Sequence, residues 1–156
     1  MLQYESTGRV SASSIRSIRK DVESLRRDWW RGVLGFDASE EEGPAVLSGR
    51  TPLFHRSGIP DDEDLFMAFA DAAFILEKLA GWSKRHKIKW HLRMHEDDWG
   101  AIDPSGLTKP LIEQMGKWAH RLKIFPSGRD RWFVPEDRRG ELLGRHAGRR
   151  KGGSSE

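Results

Sequence analysis

"KIKWHLRMHEDDWG", residues 87–100, alternates strictly over most of its length. Ile88, Trp90, Leu92 and Met94 point one way, and Lys87, Lys89, His91, Arg93 and His95 point the other. Period two with one apolar side is the pattern of a half-buried strand. "EDD" then turns the chain toward a short second strand, "WGAI" (99–102). "DPSG" (103–106) has Asp, Pro and Gly where a type I turn prefers them. The stretch therefore predicts an antiparallel hairpin, and the elements around it must cover its apolar side.

Three helical patterns are available to do so. Ile15, Ile18, Val22, Leu25 and Trp29 recur at steps of three and four, with Ser13 or Ser14 as an N-cap and Gly32 or Gly35 as a stop. Pro60 and "DDED" start a second helix, because carboxylates stabilise the positive end of the helix dipole. Its seam runs through Leu65, Phe69, Ala72, Leu76 and Leu79 to about His86. Asp71 interrupts this run, but its seven-residue spacing from Asp64 and Lys78 places all three on one wet stripe. Thr108 and Pro110 open a third helix with Leu111, Met115, Trp118 and Leu122 in register.

The remaining segments are less regular. "LQYES" (2–6) reads as a short strand with Leu2 and Tyr4 on one face. Residues 36–60, broken by Gly43, Pro44, Gly49, Pro52 and Gly58, make either a binding loop or short strands near Ala45–Leu47 and Leu53–His55. "KIFPSGRDRWFV" (123–134) reads as a further hairpin, residues 135–146 as a last short helix, and residues 146–156 as a flexible basic tail. The expected fold is α+β: a small antiparallel sheet under a single layer of about three helices, as one domain over residues 1–145.

The chain has 156 residues, a length that buries one core without staples, and no cysteine. A disulfide framework, a thiolate zinc site and a cysteine nucleophile are thereby excluded. "MLQYESTGR" lacks a signal peptide's apolar run and no segment approaches a membrane span, so a cytoplasmic location is expected. The net charge is +3, unevenly placed: residues 36–75 hold nine acidic residues and two arginines.

Three readings of function follow. The favoured one is a non-catalytic protein-binding module, an inhibitor, immunity-type protein or adaptor, without cofactor. Its surface would be Trp29, Trp30 and Arg31 with the acidic Glu40, Glu41, Glu42, Asp61 and Asp62, since exposed Trp and Arg are typical interface anchors. The alternative is a nucleic-acid-binding module using Lys87, Lys89, His91, Arg93, Arg129 and Arg131 on phosphates. A helix followed by a hairpin also has the order of a winged helix. The bland reading of the cationic strand is a solvated face whose charges discourage edge-to-edge pairing.

A third reading is a metal-assisted or acid–base enzyme around His91 and His95. Four residues along a strand separate these histidines by about 13 Å, too far to share one ion, and no second histidine completes H-E-x-x-H after His95. No nucleophile elbow or glycine-rich phosphate loop is present, and His55 in "HRSG" reads as an ordinary loop residue.

Overall fold

The computed structural model describes residues 1–28, 35–37, 43–53 and 61–123. In chain order the elements are β1 (Leu2–Ser6), α1 (Ala12–Asp28), β2 (Gly35–Asp37), β3 (Ser48–Thr51), α2 (Asp62–His86), β4 (Trp90–Met94), β5 (Asp97–Asp103), β6 (Gly106–Leu107) and α3 (Lys109–Arg121). The strands form one antiparallel sheet in the order β2-β3-β1-β4-β5-β6. The expected α+β architecture is present, with the amino-terminal strand in the middle of the sheet.

One face of the sheet is apolar and covered. Leu2, Tyr4, Trp90, Leu92 and Ile102 lose essentially all contact with solvent. They join Ile15, Ile18 and Val22 of α1, Phe69, Ile75 and Leu79 of α2, and Leu111, Met115 and Ala119 of α3 in one core. Burying an aliphatic or aromatic side chain contributes about 1.5–3 kcal/mol. On the other face Gln3, Glu5, Arg50 and Arg93 are exposed. No described element lies over them.

Helix ends follow the sequence with two corrections. Asp61 caps α2 in a reciprocal box: its carboxylate accepts the Asp64 N–H at 2.7 Å, and Asp64 accepts the Asp61 N–H at 3.3 Å. The α1 cap is Ser11, whose hydroxyl accepts the Ser14 N–H at 3.3 Å, rather than Ser13 or Ser14. Val10 is already tied to Ala45 by paired backbone bonds, so the helix begins directly after it. Thr108 stands at the N-cap of α3, but its hydroxyl accepts the Ala101 N–H at 2.9 Å and so joins the helix to β5.

Asp21 couples α1 to α2, accepting from the Trp82 indole at 2.9 Å and from Arg85 at 3.1 Å. Asp64, Asp71 and Lys78 are each half-buried, as a stripe at the margin of α2 requires.

The irregular segment contains strands, displaced from the expected places. Ala45 makes only an isolated bridge, while β3 covers residues 48–51; residues 54–60 lie outside those described. The polar side of residues 89–93 is a solvated face, but the charges there do not act against edge pairing. β4 is an interior strand, hydrogen-bonded to β1 on one side and β5 on the other, so its charges guard no edge. The ladder starts at Trp90, because Lys87 is the left-handed C-cap of α2, with φ 58°.

Candidate functional site on the open sheet face

Directly opposed residues on antiparallel strands point to the same face. The register therefore lays out the open face in rows. One row runs Arg50, Gln3, Arg93 and Asp98 across β3, β1, β4 and β5; the next runs Ser48, Glu5, His91 and Ala101. Strands lie about 4.8 Å apart, so the backbones of Arg50 and Arg93 are about 10 Å apart with Gln3 between them. Between these strands the face dips into a concavity of about 380 Å³, lined by Gln3, Glu5, Ser48, Arg50, His91 and Arg93 among others.

An irregularity in β5 completes the arrangement. The register shifts by one residue between Leu92 and Arg93, so that Asp98, and not Trp99, stands opposite Arg93. This is a β-bulge with Trp99 as the extra residue. Its indole packs edge-on against Trp118 of α3, with ring centroids 6.1 Å apart, while Asp98 takes the open-face position. Gly100 follows with φ +113°, and a Cβ there would lie 2.9 Å from the Thr108 hydroxyl. Only glycine fits without displacement.

Asp98 accepts the Gly100 N–H at 2.9 Å and lies 2.9 Å from His91 Nε2. The pair is accessible: 32% of the His91 side chain and 69% of the Asp98 side chain are exposed. The Gly100 N–H, and after it the His91 hydrogen bond, hold the Asp98 carboxyl below its ordinary 3.8, with the charges of His91 and Arg93 adding to the effect. Asp103, at the β5–β6 turn, is lowered likewise, first by the Ser105 hydroxyl and N–H, then by the Gly106 N–H and the charge of Lys89. The cations on the β5 side thus act on carboxylates. The Arg50 side chain has no hydrogen bond or ion pair among the described residues.

The residues singled out from sequence distribute as follows. Lys89, His91 and Arg93 share the open face, whereas Lys87 is withdrawn to the end of α2. His95 occupies the β4–β5 turn in a left-handed conformation, φ 55°, and does not join His91. Among the described residues no group of three or more histidine, aspartate or glutamate side chains is placed to hold a metal ion. Asp61 is engaged in its capping box, and Asp62 begins α2. Trp29, Trp30, Arg31, Glu40, Glu41, Glu42, Arg129 and Arg131 lie outside the described residues, as do the second hairpin and the tail.

Arg50, Gln3 and Glu5 were not singled out from sequence. The alternation of Leu2 and Tyr4 places Gln3 and Glu5 on the opposite face, but only the β1–β3 register brings Arg50 beside them.

The chain matches no protein-family model, no curated protein and no solved structure. Among the described residues no helix is long and apolar enough to cross a membrane.

Proposed function

We propose that this protein is a nucleic-acid-binding module that takes the backbone of a single strand into the concavity between β3, β1 and β4. The observation that carries this reading is the pair of exposed arginines, Arg50 and Arg93, flanking Gln3 in one cross-strand row. Guanidinium groups present a planar fork of donors suited to phosphate oxygens, and the Gln3 amide adds a neutral donor between them. His91 contributes further positive charge when protonated.

The reading is one of backbone contact. The open-face rows carry no aromatic platform on which bases would stack, so sequence selectivity is expected to be low. A flexible single strand can bend into a recess in a sheet, whereas a rigid duplex would meet only its rim. The described helices lie behind the sheet, so none of these is presented to a groove in the manner of a recognition helix. The partner-protein reading built on Trp29, Trp30 and Glu40–Glu42 gains no support from the described face.

The test is a salt titration with a labelled single-stranded oligonucleotide, comparing the full chain with Arg50→Ala/Arg93→Ala. Each phosphate contact contributes a slope of about −0.7 in log affinity against log salt for single strands, so the double variant should lose a slope of about 1.4. Equal slopes and affinities for the two proteins would remove this face from consideration.

A further inference from the structure

We propose that the same concavity cleaves RNA without a metal ion, using Glu5 and His91 as an acid–base pair; this inference rests on the nucleic-acid reading above. Binding alone leaves one residue of the concavity, Glu5, unexplained. Glu5 places a carboxylate among Arg50, Arg93 and His91, where it opposes the attraction of any phosphate. Among the described residues it has no hydrogen bond or ion pair, so it is not spent on neutralising those cations. One position along the same row pattern, Gln3 is uncharged. A carboxylate at residue 5 is costly for holding an anion and useful for taking a proton.

Its direct cross-strand neighbour is His91. Opposed side chains have Cβ atoms about 4.5–5.5 Å apart, which suits an in-line displacement in which base and acid serve oxygens on opposite sides of one phosphorus. Asp98 lies 2.9 Å from His91 Nε2, an arrangement that orients the ring and leaves Nδ1 without a partner among the described residues. Asp98 is a positioning residue, and the bulge at Trp99 is what brings it to this face. Bulges commonly re-aim side chains beside active sites.

The step balances with these groups alone. The Glu5 carboxylate takes the proton of a ribose 2′-hydroxyl, and the 2′-oxygen forms a bond to the adjacent phosphorus. The bond from phosphorus to the 5′-oxygen of the next nucleotide breaks, and that oxygen takes a proton from the His91 imidazolium. Arg50 and Arg93 offset the charge that accumulates on the phosphoryl oxygens. The products are a 2′,3′-cyclic phosphate and a 5′-hydroxyl.

The experiment incubates the full chain with an end-labelled single-stranded RNA in EDTA, beside the same oligomer carrying 2′-deoxyribose throughout. Binding is measured in parallel. The expected result is a ladder ending in 2′,3′-cyclic phosphate from RNA only, reduced at least a hundredfold at saturating protein in both Glu5→Gln and His91→Asn, with binding retained by Glu5→Gln. Binding without cleavage overturns this inference and leaves the binding reading standing. Failure to bind either oligomer overturns both. Cleavage that persists in the two variants assigns the activity elsewhere and also overturns the proposal. Circular dichroism of the variants, both at solvent-accessible positions, separates lost chemistry from lost folding.

Discussion

Gly100 has few alternatives. Its φ of +113° is outside the range L side chains favour, and an added Cβ would press on the Thr108 hydroxyl and the Leu111 backbone nitrogen. Gly100→Ala is therefore expected to destabilise the fold by about 1–3 kcal/mol, read as a drop of several degrees in Tm. The same glycine donates its N–H to Asp98, so the variant should also disturb the His91–Asp98 pair. Asp98 makes a separate prediction in acid. Its folded pKa is lowered, so the stability it contributes is complete above the ordinary carboxylate value of 3.8 and is lost as pH falls through the lower folded value. Asp98→Asn should flatten that part of a urea-denaturation profile between neutral pH and pH 2. An unchanged acid limb would show that the pair contributes nothing to folding.

Individual elements differ in how openly the sequence declares them. The three helices are legible because each presents an apolar seam at helical spacing to the core, and α2 also carries its own start signal. Asp61→Ala should lower stability by about 0.5–2 kcal/mol by leaving the Asp64 N–H without its cap; chemical denaturation measures this, and a change below 0.2 kcal/mol would argue that the box is not formed. β4 is legible for the corresponding reason at period two. β3 is not: in "SGRT" the open-face positions are Ser48 and Arg50, and the covered ones are Gly49 and Thr51, so no apolar alternation exists to read. Gly49 stands across from Tyr4, and Thr51 meets the Tyr4 hydroxyl at 3.2 Å, so this strand contributes room and a polar contact where its neighbours contribute bulk.

Across the whole molecule the two-layer architecture followed from periodicity, while the candidate site did not. Its residues come from β1, β3 and β4, and no local pattern records which strands become neighbours. The bulge was equally hidden, since "DDWGAI" read as uninterrupted alternation would have sent Trp99 to the open face. Long-range register, rather than residue type, assembled Arg50, Glu5, His91 and Arg93 around one recess. The central place of β1 has a temporal consequence. Its partners are residues 48–51 on one side and 90–94 on the other, so during synthesis β1 waits with one edge unpaired until Trp90–Met94 have been made. At roughly 5–20 residues per second that wait lasts several seconds or more, and the alternation of polar Gln3 and Glu5 with apolar Leu2 and Tyr4 leaves β1 with an uncovered apolar side for that time.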